Sequence, residues 1–296
     1  MTSASPDSSK TVSAHAHEIL HGKRFQFGKN WKYFLSTLDD QRIQTAQHSL
    51  ISMIGTDTLQ GKSFLDVGSG SGLFSLAARQ LGARVHSFDY DPVSVSCTQE
   101  LKRRYYDKDD SWTIQEASVL DKSYMDTLGK FDITYSWGVL HQTGNMWDAL
   151  ENITRTVCQD GLLIIAIYNH QGGASRRWRT IKKIYNRSPY PIQLALVLTV
   201  GAVWETRAAL LRLVRLQNPL PFADWSKKKM DRGMSVWHDL VDWVGGYPFE
   251  FARPEEIFDF YFQRNYILTQ LTTDRGHGCN QFVFRKTGHK NSERPR

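Results

Sequence analysis

The sequence predicts an α/β protein with a doubly wound, mostly parallel sheet and a helical cap inserted after the fifth strand. Three observations indicate this fold class. From residue 63 onward, short β-rich segments alternate with helical segments. Several of the predicted strands are apolar on both faces, as buried parallel strands are. The alternation stops after residue 168 and returns at residue 254, so one helical insertion interrupts the sheet.

Five strands are predicted before the interruption, and helices separate most of them. The strands cover 63–68, 84–90, 112–118, 131–138 and 161–168. Helices are predicted over 73–81, after Pro92 and over about 145–157, and Pro92 suits the first turn of its helix.

Two further strands follow the insertion, at 266–273 and 281–286, after a helix over 254–264 that begins with a proline. Only the segment DRGHGCN separates the two strands. A link this short cannot hold a crossover helix, so the pair is predicted to be an antiparallel hairpin.

The chain is therefore divided into six parts. They are a disordered tail (1–15), N-terminal helices (16–60), a core (61–168), a basic helical cap (169–252), a C-terminal helix with the hairpin (253–287) and a loose tail (288–296).

Composition excludes several classes of protein. With 296 residues, 41% hydrophobic side chains and 21 glycines, the chain is neither collagenous nor wholly disordered. Its three cysteines form no CxxC pair, so we expect free thiols, a cytoplasmic location and no metal site. No stretch reaches the roughly 18 to 20 apolar residues that a membrane-spanning helix needs.

The positive charge is concentrated in the cap. Residues 176–232 contain thirteen Lys or Arg against three acidic residues, a net charge of +10, whereas the whole chain carries +7. Within that segment IQLALVLTVGAVW (192–204) has no charge, and three arginines follow it at 207, 212 and 215. This pattern is typical of a helix in an anionic membrane interface. A buried cap helix or a homodimer seam explains it equally well.

A glycine-rich turn lies between the first strand and the first core helix. The segment FLDVGSGSGLF (64–74) places glycine at 68, 70 and 72, which allows a ligand to approach backbone amides beside a helix N-terminus. The spacing is GxGxG, and Leu73 stands where the GxGxxG fingerprint of dinucleotide-binding proteins has its third glycine. The turn therefore disfavours a dinucleotide pyrophosphate.

Two acidic residues flank this turn. Asp66 lies at the end of the first strand, where a carboxylate can hold the ammonium of an amino-acid-like ligand indirectly or through water. Asp89 ends the second strand, 21 residues after Gly68, and can accept hydrogen bonds from both ribose hydroxyls. Together they predict a nucleoside with a zwitterionic tail and no phosphate.

On these residues the chain resembles the class I S-adenosylmethionine-dependent methyltransferases over about 61–168 and 254–286. It is most similar to the bacterial branch of ubiquinone-biosynthesis-like O-methyltransferases, through FLDVGSGSG, YSWGVLHQTGNMW and WHDLVDWVGGYPFEFA. The resemblance implies a seven-stranded sheet and S-adenosylmethionine as the cofactor.

The resemblance also assigns cofactor contacts by position. The methionine part is expected at Asp66, Gly68, Ser69, Gly70 and Gly72. The ribose is expected at Asp89 and the adenine at Tyr90, Ser118 and Val119, although the family more often has an Asp near position 118. The reactive methyl is expected near Ser136 and Trp137.

Three residues are candidates for catalysis. His141 follows the fourth strand, where ligands of open α/β sheets bind, and is the predicted general base. A histidine that only packs in this loop is the alternative. His238 belongs either to a polar pair on the cap or to an ordinary amphipathic helix, and Tyr168 ends the fifth strand at the same rim.

The predicted function is methyl transfer to a small, hydrophobic or amphipathic acceptor, most often at oxygen. One alternative is a membrane-associated assembly or regulatory factor that binds S-adenosylmethionine without turnover. Nucleic-acid methylation is a lesser alternative, because residues 136–139 read SWGV and lack the [DNS]PP[YFW] tetrapeptide of enzymes that methylate exocyclic base nitrogens.

Overall fold

The computed structural model describes residues 8–218, 236–274, 276 and 278–288. Its centre is a seven-stranded sheet in the order β3-β2-β1-β4-β5-β7-β6. The strands are β1 (Ser63–Val67), β2 (Arg84–Asp89), β3 (Trp112–Glu116), β4 (Phe131–Trp137), β5 (Val157–Tyr168), β6 (Tyr266–Thr272) and β7 (Cys279–Lys286). Strands β1 to β5 are parallel, and β7 is antiparallel to both of its neighbours. The predicted fold class and terminal hairpin are confirmed.

Helices cover both faces of the sheet. They are α1 (Ser8–Leu20), α2 (Gly28–Ser36), α3 (Asp40–Ile54), α4 (Leu73–Gln80), α5 (Pro92–Tyr105), α6 (Lys122–Thr127), α7 (Met146–Thr154), α8 (Gly173–Arg187), α9 (Tyr190–Val214), α10 (Val236–Gly245) and α11 (Pro254–Phe262). Successive strand residues enter opposite layers: Phe64 and Ile164 pack in one buried cluster, and Leu65 and Ile165 in the other. Both faces of the central strands are thus buried, as their apolar sequences predict.

The N-terminal part corrects the prediction of a disordered tail. Helix α1 covers residues 8–15 of that tail, whereas residues 1–7 lie outside the described part of the chain. His15 is buried because its ring packs edge-on against Tyr90, with 5.3 Å between centroids. The residues that order this segment come from strand β2, which the local sequence of the tail does not reveal.

The cap starts and ends beside the same strand. Asn169 and Ala252 form a bridge, and the Ala252 amide donates to the Tyr168 carbonyl at 3.1 Å. Helices α8, α9 and α10 pack around a small cluster that contains Val197, Leu240 and Val244. The insertion therefore has a core of its own above the carboxyl end of β5.

Helix α9 is longer and more apolar than the sequence analysis predicted. Its 25 residues form one described helix that is long and apolar enough, by length and composition, to cross a membrane. The estimate that no stretch reaches this length is corrected, because the helix continues through Trp204 to Val214. Only 6% of its most apolar window is buried.

Candidate active site

The glycine-rich turn has the conformation that its residues require. Gly68 and Gly70 have φ of 78° and 56°, in the left-handed region that side chains disfavour. A Cβ atom on Gly68 would lie 2.4 Å from Val139, and one on Gly70 would lie 3.0 Å from Trp31. Glycine at these positions therefore leaves the turn unobstructed although the side chains of Val139 and Trp31 lie close to it.

Asp66 lies at the base of the turn in a buried polar network. Its carboxylate accepts a hydrogen bond from the Ser75 hydroxyl at 2.5 Å, and Ser75 contacts the Ser87 hydroxyl at 2.7 Å. The indole of Trp112 donates to Ser87 at 2.8 Å. Burial raises the pKa of Asp66 to about 7, although the Ser75 hydrogen bond opposes this shift. A cationic ligand group nearby would stabilise the charged form.

Asp89 is fixed at the end of β2 by backbone donors. Its two oxygens accept hydrogen bonds from the Gly70 and Asp91 amides, both at 2.9 Å. Burial raises the pKa of Asp89 to about 6, and these two hydrogen bonds act in the opposite direction. Each carboxylate oxygen has a further lone pair, so the group can accept hydrogen bonds from two adjacent hydroxyls.

The N-terminal segment covers this side of the site. The Gly28 amide donates a hydrogen bond to the Asp91 carboxylate at 2.7 Å. Since Asp91 lies two residues after the end of β2, this bond ties the start of α2 to that strand end. Arg24 lies over the Tyr90 ring at 4.8 Å, pairs with Glu18 at 2.6 Å and donates to the Gln142 carbonyl at 3.1 Å. Arg24 thereby links α1, strand β2 and the loop after β4.

One cavity of about 1390 Å³ extends from the glycine turn to the cap. Its floor is formed by the carboxyl ends of the strands, and aromatic side chains of the N-terminal segment and the cap form much of its walls. These aromatic residues are Phe25, Phe27, Trp31, Phe34, Trp204, Trp237 and Trp243. Helix α9 contributes Val197, Leu198, Gly201, Ala202, Glu205 and Ala208. The cavity is large enough for a nucleoside cofactor together with a second molecule.

Most of the predicted site residues line this cavity. They are Asp66, Gly68, Ser69, Gly70, Asp89, Tyr90, Ser118, Val119, Trp137 and Tyr168. The Ser118 hydroxyl accepts the Leu120 amide at 3.1 Å, so that side chain stabilises its own turn. The structure thus brings together residues from five strand ends that lie up to 102 positions apart in the sequence.

Two of the predicted cofactor residues do not line the cavity. Gly72 begins α4, and a Cβ atom there would lie 2.9 Å from Thr98, so this glycine allows α4 and α5 to pack closely. Ser136 is fully buried, and its hydroxyl donates to the Val67 carbonyl at 3.0 Å. Its neighbours Tyr135 and Trp137 point to the cavity instead, because side chains alternate along a strand.

His141 is in a different position from the one that a general base requires. It is fully buried, does not line the cavity and packs against Tyr168 with 4.0 Å between ring centroids. The Tyr168 amide approaches its Nδ1 atom at 3.4 Å. Burial lowers the pKa of His141 to about 3, so its ring is neutral at working pH. The prediction of direct proton abstraction is corrected to a packing role behind Tyr168.

The other two catalytic candidates are Tyr168 and His238. Tyr168 lines the cavity and also contacts Phe249 and Trp243 of the cap segment, at centroid distances of 5.0 and 5.9 Å. The backbone of His238 belongs to α10, but its side chain lies outside the described residues.

Sequence reasoning missed the residues that close the site. Arg24 and Trp31 line the cavity but come from a segment with no recognisable motif, and Asp242 lies in the segment WHDLVDWVGGYPFEFA without having been singled out. The available signal was the aromatic density of FQFGKNWKYF (25–34), which contains five aromatic residues in ten. Within residues 8–218, 236–274, 276 and 278–288, no group of three or more His, Cys, Asp or Glu side chains could hold a metal ion.

Residues 65–165 match the family described as a methyltransferase domain. This match includes the glycine turn, both carboxylates and the ends of strands β1 to β4. The match and the sheet order agree with the class I S-adenosylmethionine-dependent methyltransferase domain that the resemblance implies for this part of the chain. S-adenosylmethionine as the predicted cofactor is confirmed. The contacts assigned to the turn, Asp66 and Asp89 stay predictions.

The chain is also similar to curated methyltransferases over part of its length. It is 41% identical over 64 residues to ribosomal protein L11 methyltransferase of Anoxybacillus flavithermus, covering 21% of this chain and 20% of the relative. It is 28% identical over 162 residues to the Staphylococcus aureus protein of the same name, covering 50% and 49%. The chain spans about half the length, or less, of these curated relatives.

Solved structures with a similar outline include two methyltransferases with bound S-adenosylhomocysteine. Magnesium protoporphyrin IX methyltransferase from Synechocystis PCC 6803 has a TM-score of 0.49 at 14% identity, covering 83% of both chains. The N-methyltransferase NodS from Bradyrhizobium japonicum has a TM-score of 0.48 at 13% identity, covering 88% of this chain and 99% of its own.

Proposed function

We propose that this protein transfers a methyl group from S-adenosylmethionine to an oxygen atom of a small, hydrophobic or amphipathic acceptor. The observation that carries the proposal is the continuity of one cavity from the glycine turn to the apolar cap. A cofactor at the turn leaves room under the cap for a second molecule. We place the reaction in the cytoplasm, in agreement with three free cysteines.

The walls support an apolar acceptor. On the cap side, α9 contributes aliphatic and small side chains, and Leu240, Trp237 and Trp243 continue the same surface. Arg24 is the one arginine or lysine among the described lining residues, and it already pairs with Glu18. A polyanionic acceptor such as a nucleic acid would find few cations here.

The bound cofactor supplies an electrophilic methyl group, and the chain must orient the acceptor and exclude water. The N-terminal segment provides the cover, because Gly28 and Arg24 hold it to the strand ends. Tyr168 and Trp137 form the floor where donor and acceptor meet in this proposal.

A hydroxyl acceptor must lose its proton, and Asp242 is our proposed proton acceptor. Its carboxylate lines the cavity and accepts a hydrogen bond from the Asn30 side chain, which orients it. Glu205, also in the wall, is paired with Arg212 at 3.6 Å and is less suited to this role. A carboxylate in general base position contributes about 10² to 10⁴-fold to the rate.

The test has two stages. Calorimetry with S-adenosylhomocysteine establishes cofactor binding, and a screen with labelled S-adenosylmethionine then compares phenolic, lipid, amine, oligonucleotide and protein acceptors. We expect transfer to apolar hydroxyl compounds. Binding without transfer to any acceptor would favour the non-catalytic factor, and transfer only to amines, oligonucleotides or proteins would contradict the proposal.

A variant pair sharpens the assignment of Asp242. Asp242→Asn should retain S-adenosylhomocysteine binding and lower turnover of a hydroxyl acceptor by about 100-fold. Asp57→Asn, an exposed site outside the cavity, serves as the control and should behave as wild type. Unchanged turnover in Asp242→Asn would refute the proton-acceptor role without affecting the methyltransferase proposal.

A further inference from the structure

The outer face of α9 is an exposed apolar stripe along the whole helix. Every third or fourth residue on this face is exposed, and the members are Ile192, Ala195, Thr199, Val203, Thr206, Leu210 and Leu213. The aliphatic members Val203, Leu210 and Leu213 are each more than half exposed. A helix of 25 residues is about 37 Å long, so the stripe is far larger than scattered surface side chains.

The polar groups of α9 are turned away from this stripe. The hydroxyls of Thr199 and Thr206 donate to the Ala195 and Ala202 carbonyls one turn earlier, at 2.8 and 2.7 Å. These two residues therefore present mainly their methyl groups outward. Glu205, the one acidic residue of α9, faces the cavity and pairs with Arg212.

Cations surround the stripe. Arg207 and Arg215 are exposed on α9. The preceding helix α8 exposes Arg176, Arg177, Arg179, Lys183 and Arg187, and its sequence contains no acidic residue. An apolar face on a helix with exposed cations is complementary to a surface that is apolar inside and anionic at its edge.

We infer that the outer face of α9 docks on an anionic lipid bilayer, with the helix lying in the plane of the interface. This inference rests on the proposed function, since an apolar acceptor dissolves in the same bilayer. The inner face of α9 holds Val197 against Leu240 and lines the cavity with Gly201 and Ala208. A spanning orientation would remove these contacts, so the helix lies on the membrane. The docked helix then forms the wall between the lipid and the acceptor chamber.

Charge favours lipid over a second copy of the chain. A two-fold dimer places the same patch against itself, so the stripes would meet with their arginines and lysines close to like charges. Anionic head groups neutralise those cations, and each Lys or Arg near such a surface contributes about 1 kcal/mol.

Vesicle flotation tests the inference with the full chain. The vesicles contain phosphatidylcholine alone or with phosphatidylglycerol, and we expect flotation with the anionic mixture that weakens at high salt. Val203→Glu with Leu210→Glu should lower vesicle partitioning by at least about tenfold. The control, Ile267→Glu with Leu271→Glu, alters two apolar residues of β6 that are 49% and 45% exposed and should float as wild type.

A second pair of substitutions examines the charges. Arg177→Glu with Lys183→Glu should weaken partitioning into anionic vesicles by about tenfold and leave S-adenosylhomocysteine binding unchanged. This pair also provides the test if the α9 variant does not fold, which loss of S-adenosylhomocysteine binding would reveal.

The inference is overturned if the wild type fails to float or if the α9 and β6 variants float equally. It is also overturned if sedimentation shows a dimer that the α9 substitutions dissociate while vesicle binding is unchanged. These outcomes differ from failure of the proposed function, in which the protein floats and binds S-adenosylhomocysteine but transfers no methyl group.

Discussion

The core and the cap use apolar residues in opposite ways. In the core, the central strands β1, β4 and β5 are largely buried on both faces, and Asp66 is hydrogen-bonded within a buried polar network. In the cap, α9 lines the cavity with one face and exposes an apolar stripe on the other. The difference is in exposure: the apolar residues of the central strands are buried, whereas those of the outer face of α9 are exposed.

The largest expected effect is a loss of cofactor affinity at the glycine turn of the core, with no change in the membrane binding proposed for the cap. Gly70→Val places a branched side chain at φ of 56° and 3.0 Å from Trp31, so it should lower affinity for S-adenosylhomocysteine by more than about 100-fold. Vesicle flotation should remain as in the wild type. Calorimetry and flotation on the same preparation measure both.

Gly129→Val is the matched control for that substitution. Gly129 also has a positive φ, 77°, but a Cβ atom there meets nothing within 4 Å. The Gly129→Val variant should have a lower thermal stability, because valine disfavours a positive φ, and an unchanged affinity for S-adenosylhomocysteine. Equal loss of affinity in both variants would mean that the effect at Gly70 is general destabilisation.

An intermediate effect is expected at the boundary between the regions, where His141 packs behind Tyr168. His141→Ala should lower the free energy of unfolding by about 2 to 3 kcal/mol, because it leaves a cavity in the core. Turnover should fall without a change in the shape of its pH profile, since the ring contributes packing and no titrating base. Chemical denaturation and a pH–rate series are the measurements.

His86→Ala is the control for the histidine experiment. His86 of β2 forms hydrogen bonds with Thr113 and Tyr124 and does not line the cavity. It should lose stability and keep its turnover. Loss of one limb of the pH profile in His141→Ala alone would restore the histidine as the base.

The smallest expected effect concerns the stability of the core. The pKa of Asp66 is about 7 in the folded protein and about 4 when unfolded. Between these values the folded state binds more protons, so the Asp66 contribution to the free energy of unfolding falls as pH rises and stays low above pH 7. Asp66→Asn should therefore stabilise the ligand-free protein by at least about 1 kcal/mol more at pH 8 than at pH 5.

Thermal unfolding at the two pH values checks this, and calorimetry should show weaker S-adenosylhomocysteine binding in the same variant. The residue would then exchange stability for affinity, as functional residues often do. An Asp66→Asn effect that is equal at pH 5 and pH 8 would show that burial does not perturb this carboxylate.

The sequence predicted the core better than the cap because core signals are local. Strand periodicity, the glycine turn and the position of Asp89 can each be recognised within about 25 residues. Ser136 was misplaced although the alternation of Tyr135, Ser136 and Trp137 contained the needed signal. The positions of Arg24 and His141 depend on contacts between distant segments, such as Arg24 with the Gln142 carbonyl, and no local pattern encodes them.

The central claim is that the turn after β1 holds an adenosyl group whose ribose binds Asp89. A calorimetric titration of the wild type and of Asp89→Ala with S-adenosylhomocysteine, and of the wild type with NAD, tests it most directly. We predict one site for S-adenosylhomocysteine in the wild type, affinity at least about 100-fold weaker in Asp89→Ala, and no binding of NAD. Absence of S-adenosylhomocysteine binding to the wild type, or equal affinity in the two proteins, would contradict the claim.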